Sequence, residues 1–215
     1  MLLLSLDSSY SYHNFTLWDT EKRAPILHYG EERGKKFLEM FPKIFEELKV
    51  DIRDIDLFAV NVGPGYSTGL RVGVAMMKTY AQVSGKPLYT YNSFECFTKF
   101  VTTEGLYLTV LKVSRYWVYG LWEKTFEGWR ELVKPSVLDE KVIENLLGKR
   151  LNLVIPYWLE EEFRSLETRL PIAGKVVLPL RGFSEIGAVV AYEKSRRGEK
   201  TNLFEVEPLY FRPPV

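Results

Sequence analysis

Apolar runs of strand length and apolar stripes of helical spacing alternate along this chain. Leu2 to Leu6 is almost wholly apolar and ends in the polar turn Asp7-Ser8-Ser9, the pattern of a buried strand. Phe15 to Trp18 and Ala24 to Tyr29 predict two more strands, the latter less buried because Pro25 interrupts it. From Lys35 to Lys49 the period changes: Phe37, Leu38, Phe41, Ile44, Phe45 and Leu48 recur at helical spacing. Leu57 to Val62 predicts a fourth strand, Gly69 to Ser84 a second helix, Pro87 to Tyr91 a fifth strand, and Ser93 opens a short helix. After Thr102-Thr103-Glu104-Gly105 strands are expected at Tyr107 to Val113, Trp117 to Trp122, Leu151 to Ile155 and Lys175 to Leu180. Helices are expected at Leu138 to Leu147, Tyr157 to Leu166 and Ser184 to Arg197.

Three strands joined by tight turns, then strands alternating with helices, is the order of the ribonuclease-H-like lobe found in actin, sugar kinases and heat-shock ATPases. The break near residue 103 predicts an N-terminal lobe over 1–103 and a smaller, more degenerate lobe over 104–215, whose final helix can pack back on the first. The expected class is therefore α/β, actin-like and two-lobed, each lobe ribonuclease-H-like.

Composition narrows the function. Of 215 residues 46% are hydrophobic, ample for such a core, and the net charge of +1 announces neither a nucleic-acid nor a membrane binder. A single cysteine, Cys96, cannot form an internal disulfide and reads as a core thiol in a reducing compartment. Met1-Leu2-Leu3-Leu4 lacks a basic leader and meets Asp7 too early for a signal segment, and no run approaches the roughly 20 apolar residues of a membrane span. The expected location is cytoplasmic.

The run Gly63-Pro64-Gly65-Tyr66-Ser67-Thr68-Gly69 falls between a strand and a helix. Gly63 and Gly65 free the backbone, and Ser67 or Thr68 is placed to cap the helix that Gly69 opens. Two readings stand: backbone N–H groups held out to a phosphate, or a loop built for close backbone approach. The run is neither a Walker loop nor a dinucleotide fingerprint. Asp7, with Ser8 and Ser9, ends the first strand, where a carboxylate meets either a ligand or its own turn. Two-metal nuclease chemistry would need three or four converging carboxylates, and the second and third strands supply only Asp19 and Glu21 in a turn. His13 and His28 have no metal-site spacing and read as surface or strand residues. Peptidase chemistry lacks a base and nucleophile pair. Lys194, Arg196, Arg197 and Lys200 read as a solvated helix end. The helices near 35–49 and 69–84 carry broad apolar stripes, Phe37, Met40, Phe41, Ile44, Phe45 and Leu48 on one and Leu70, Val74, Met76, Met77 and Tyr80 on the other, beside a small-residue spacing of Gly69 and Gly73. These are either core or a partner-facing surface.

Three stretches carry a family resemblance. Leu4-Ser5-Leu6-Asp7-Ser8-Ser9 resembles the opening of the bacterial TsaB (YeaZ) family of tRNA threonylcarbamoyladenosine biosynthesis proteins. The run from Gly63 to Leu70-Arg71-Val72-Gly73 is similar to that family's glycine motif, and Pro208-Leu209-Tyr210-Phe211-Arg212 is similar to its closing motif. Tyr66-Ser67 and Lys112-Val113-Ser114-Arg115 depart from the family pattern.

The resemblance implies a non-catalytic scaffold that binds and activates TsaD, the ATP- and metal-dependent enzyme that forms N6-threonylcarbamoyladenosine at position 37 of tRNAs reading codons that start with A. It implies a TsaD interface through the two broad helices, with Phe37, Met40, Phe41, Ile44, Leu70, Gly73, Val74, Met77 and Tyr80 as contacts. It also implies a homodimer when TsaD is absent, the ATPase TsaE as a further partner, and tRNA met only through the complex. Asp7, Ser8, Ser9, Gly63, Gly65, Ser67 and Thr68 would be vestigial phosphate loops, with ATP and metal on the TsaD and TsaE partners. TsaD's His-x-x-x-His metal motif has no counterpart around Lys35 to Pro42. The alternative is an ATP-dependent phosphotransferase or ATPase of the same fold.

Overall fold

The structure, a computed structural model, describes residues 1–34, 36–179, 181–199 and 201–211. Lys35, Leu180, Lys200 and Arg212, each part of an expectation above, lie outside the described residues.

The chain divides into two compact units, Met1–Cys96 with Gly182–Tyr210, and Phe97–Arg181 with Phe211. The division falls earlier than residue 103, and the last helix belongs with the first unit.

In the first unit the elements run β1 (Leu2–Asp7), β2 (Tyr12–Asp19), β3 (Ala24–Glu32), α1 (Phe37–Glu47), β4 (Leu57–Asn61), α2 (Ser67–Ser84), β5 (Leu88–Tyr91) and α3 (Ser93–Phe97). The sheet order is β3-β2-β1-β4-β5, with β2 antiparallel to β1 and β3, and β4 and β5 parallel to β1. Each strand's alternation sends its residues to two faces. Leu4, Leu6, Phe15, Leu17, Phe58 and Val60 meet Phe37, Phe41 and Phe45 of α1 and Val74, Met77 and Ala81 of α2 in one apolar core. Full burial of side chains of this size contributes roughly 1.5–3 kcal/mol each. The other face carries Ser5, Asp7, Asn14, Thr16 and Asn61, all buried.

The second unit runs β6 (Gly105–Val113), β7 (Tyr116–Thr125), β8 (Gly128–Val137), α4 (Glu140–Leu146), β9 (Leu151–Pro156), α5 (Glu160–Glu167) and β10 (Ile172–Leu178). Its sheet order, β10-β9-β6-β7-β8, repeats the first order strand for strand. Both units thus have the ribonuclease-H-like topology, and two such units in one chain match the two-lobed α/β class expected. The reduction of the second unit lies in its helices: α4 and α5 span 7 and 8 residues, against 18 in α2.

The final helix, α6 (Ser184–Arg196), covers the polar face of the first sheet. Gly187 lies against Tyr91 so closely that a Cβ there would come within 2.1 Å of the ring. Thr16 Oγ1 and Ser184 Oγ share a 2.8 Å hydrogen bond, and Asn14 Oδ1 accepts from Ser184 N at 3.0 Å. No helix among the described residues is long and apolar enough to cross a membrane.

One strand and one helix start depart from expectation for identifiable physical reasons. β8 escapes a hydrophobicity reading because it is an edge strand with Arg130, Glu131 and Lys134 exposed, and an edge also tolerates Pro135. Helix α2 starts at Ser67 with Tyr66 at the N-cap and no side-chain cap, so neither Ser67 nor Thr68 caps it; both lie exposed in its first turn.

Candidate functional site

The two loops singled out by sequence meet in the first unit, and they close on one another. Asp7 is 1% exposed, and both carboxylate oxygens are engaged. Oδ1 accepts from Ser9 N at 3.0 Å, Ser9 Oγ at 2.6 Å and Asn61 Nδ2 at 3.0 Å. Oδ2 accepts from Phe183 N at 2.8 Å and Asn14 Nδ2 at 3.4 Å. A carboxylate offers about four lone-pair directions, so five donors saturate it. Asp7 thereby joins β1, β2, β4 and the residue preceding α6.

Asn61 extends the network. Its Nδ2 also donates to Ser93 Oγ at 3.0 Å, and its Oδ1 accepts from Gly63 N at 2.8 Å, fixing the start of the glycine loop. Gly63 has φ +114°, a conformation that needs glycine. Above Asp7, Tyr91 donates its hydroxyl to Leu6 O at 2.9 Å. Burial, with the Asp7 charge nearby, pushes that phenol well above its ordinary pKa and keeps it protonated.

The glycine spacing has a direct structural cause. A Cβ at Gly65 would stand 2.2 Å from Ser9 O, one at Gly69 2.1 Å from Ser8 O, and one at Gly73 2.2 Å from Ser8 Oγ. Ser8 Oγ donates to Gly69 O at 2.8 Å, and Tyr66 N donates to Ser9 O at 2.7 Å. The three glycines form the side of the loop and of α2 that lies on Ser8 and Ser9. Of the two readings left open, close backbone approach is the geometry found. Among the described residues no group of three or more His, Cys, Asp or Glu is placed to hold a metal ion.

The interface residues expected on α1 and α2 separate into two sets. Phe37, Phe41, Leu70, Gly73, Val74 and Met77 are buried and pack in the core of the unit. The stripes are broad because the helices pack on each other as well as on the sheet: Phe41 and Tyr80 stack with ring centroids 5.7 Å apart. Met40, Ile44 and Tyr80 remain half-buried. The exposed apolar surface lies one step around each helix, at Leu38 (58% exposed) and Val72 (44%), with Tyr66 (47%) at the head of α2. These three border a cavity of about 310 Å³ between α1 and α2, with Met76, His13 and Arg33 also in its wall. Partial burial lowers the pKa of His13, against smaller opposing effects of Asp7 and Glu31, and its ring meets Phe37 edge-on at 5.9 Å. Sequence did not separate Val72 and Leu38, as exposed apolar positions, from the core stripe because the wheel angle between them is smaller than the stripe's own width.

Comparison with known proteins bears on the fold. Two solved structures from Pseudomonas aeruginosa match from end to end. YeaZ superposes with a TM-score of 0.71 at 19% identity, covering 98% of this chain and all of the other. A protein described as uncharacterized, with similarity to peptidase YEAZ, gives 0.72 at 17% identity, covering 98% and 99%. This chain has the YeaZ fold. The fold implied by the motif resemblance is thus found over the whole length. Residues 32–109 match the family model described as TsaD, tRNA N6-adenosine threonylcarbamoyltransferase. That segment of the YeaZ-fold chain holds α1, β4, the glycine loop, α2 and β5. Enzymes of that description from Persephonella marina and Thermodesulfovibrio yellowstonii are 33% identical over 118 residues and 45% identical over 53. The matched segments cover 54% and 25% of this chain, and 34% and 16% of those enzymes. The chain therefore matches about a third or less of the length of these curated relatives.

Proposed function

We propose that this chain is a TsaB-type scaffold subunit of the system that makes N6-threonylcarbamoyladenosine in tRNA, binding and activating a TsaD-type transferase and performing no chemistry itself. The observation that carries the reading is the closure of the Asp7–Ser9 turn on the Gly63–Gly73 run. A phosphate-binding pair of loops needs free N–H groups and open space between them. Here Tyr66 N and Gly63 N are bonded within the protein, Asp7 is saturated and three glycines bring backbone against Ser8 and Ser9, while Ser67, Thr68 and Gly69 open α2 uncapped; the first three features favour a brace between the loops over a phosphate cradle. On this reading ATP and metal belong to the TsaD and TsaE partners, and tRNA is modified in the cytoplasm by the assembled complex.

The surface proposed for the TsaD-type partner is the exposed apolar rim of α1 and α2 around Leu38, Val72, Tyr66 and Met76, with Met40, Ile44 and Tyr80 at its edge. Burial of this rim would supply most of the affinity. The same rim would join two copies of the chain when the partner is absent.

The test is reconstitution. Purified chain, TsaD, TsaE, tRNA, ATP and threonylcarbamoyl-adenylate are mixed, each component is left out in turn, and the modified nucleoside is measured. The scaffold reading requires that modification fail without this chain, while the chain alone neither binds nor hydrolyses ATP. Modification at an equal rate without it, or ATP turnover by the chain alone, would return the phosphotransferase alternative to the front.

A further inference from the structure

A second feature of the first unit lies away from the α1/α2 rim. Beneath the C-terminal half of α6 an open groove of about 490 Å³ has Trp18 in its floor and Tyr192, Glu193, Arg196, Arg197 and Arg23 around its walls. That volume lies within the roughly 300–1,000 Å³ of ligand clefts. Trp18 is buried, and its ring meets that of Tyr192 at 5.5 Å.

The helix dipole explains part of the charge: Lys194 and Arg196 lie in the last turn of α6 and Arg197 at its C-cap, where cations are favoured. Lys194 is used internally, paired with Glu95 at 2.7 Å and donating to Thr90 O at 2.9 Å. Arg197 is answered by Glu199 at 2.7 Å and more distantly by Glu193. Arg23 is not explained by the helix. It comes from the β2–β3 turn, where Asp19 Oδ1 accepts from Glu21 N and Lys22 N. Its φ is +52°, a left-handed conformation that disfavours a residue with a Cβ. Neither Arg23 nor Arg196 meets a carboxylate among the described residues. Two guanidinium groups from separate elements, beside an aromatic ring, form an arrangement suited to planar, two-pronged recognition of phosphate with a sugar or base face alongside.

We propose that this groove binds an RNA strand through its phosphodiester groups, with Arg23 and Arg196 on successive phosphates and Tyr192 against the adjoining sugar or base. The choice of RNA over an acidic polypeptide rests on the function proposed above; the groove itself does not. The chain would then touch the tRNA directly, contrary to the expectation that RNA is met only through the complex.

The test titrates an unmodified, fluorescently labelled tRNA transcript with the full chain, alone and mixed with its TsaD-type partner, following anisotropy over a fourfold range of salt. The double variant Arg23→Glu with Arg196→Glu is compared with Lys134→Glu, an exposed charge reversal on β8. Each phosphate neutralised on a single strand steepens the log–log salt dependence by about 0.7, so two lost contacts should flatten the slope by about 1.4. At the lowest salt the variant should bind about tenfold or more weakly, with Lys134→Glu unchanged. Equal binding by the arginine variant and the wild type, both alone and with the partner, overturns the proposal. So does displacement of the tRNA by polyglutamate as readily as by unlabelled tRNA, which would mark an acidic protein as the occupant. The omission assay separates the two proposals. Arginine-dependent RNA binding with modification independent of the chain removes the scaffold reading and leaves the groove standing; the reverse pattern does the opposite.

Discussion

The contact between Ser8 and Gly73 can be tested as a pair. Ser8 Oγ stands where a Cβ on Gly73 would come within 2.2 Å, and the same oxygen donates to Gly69 O at 2.8 Å. Ser8→Ala removes one of two donors to Gly69 O, which keeps its α2 ladder bond, a loss of about 1 kcal/mol. Gly73→Ala drives Oγ off that carbonyl and adds crowding, about 3 kcal/mol together, offset by about 1 kcal/mol from the higher helix propensity of alanine. Additive effects would total about 3 kcal/mol. In the double variant the clashing atom is gone and the next neighbours of the new methyl, Leu6 Cδ2 and Ser8 Cβ, stand at 3.4 Å. The bond is then lost only once and the propensity gain remains, so the two nearly cancel. The coupling is therefore about 3 kcal/mol, at the upper end for side chains in contact. Urea unfolding followed by circular dichroism reads it: with an m-value of about 1–3 kcal/mol/M, the double variant should unfold at least about 1 M above the additive midpoint. Additivity within about 0.5 kcal/mol would show that the glycine run is not held against Ser8, and the loop closure behind the proposed function would fall with it.

Three further outcomes follow from the same geometry. Phe41→Asp and Met77→Asp bury an unpaired charge in the core and should unfold the first unit. Leu38→Asp and Val72→Asp should leave its circular dichroism unchanged while weakening association with the TsaD-type partner at least tenfold in sedimentation; a folded Phe41→Asp protein would refute the core assignment. Asp7→Asn sets an amide group against donors on every side and should cost about 2–4 kcal/mol in thermal or urea unfolding, whereas a neutral effect would mean that the carboxylate is not the hub described. His13 has its folded pKa below the unfolded value near 6.5, so below about pH 6.5 the unfolded state binds more protons and stability falls with pH. His13→Gln should flatten that fall, and an unchanged pH profile of the unfolding midpoint would rule the contribution out.

Much of the first unit was legible in its periodicity. The alternation of Leu4 and Leu6 with Ser5 and Asp7 marks a strand with one apolar and one polar face, and α1 shows the same logic at a period of 3.6. β8 was not legible, because an edge strand with no buried residue and a proline carries little hydrophobic signal. The glycine run announced a close approach or an anion site, and its spacing could not say which.

What the chain determines by itself is local: which residues must leave water, at what period, and where the backbone needs glycine. What only the tertiary structure decides is what each such face meets. Hydrophobic periodicity records that a stripe is buried and not by which neighbour, so Phe41 and Met77 look the same whether they meet a sheet, a sister helix or another chain. Asp7 shows the same limit for polar groups. Its donors come from Ser9, Asn14, Asn61 and Phe183, the last 176 residues away along the chain. A carboxylate ending a strand is a ligand or a brace according to which N–H groups the fold brings to it, and those groups are assembled only when α6 returns to the first sheet.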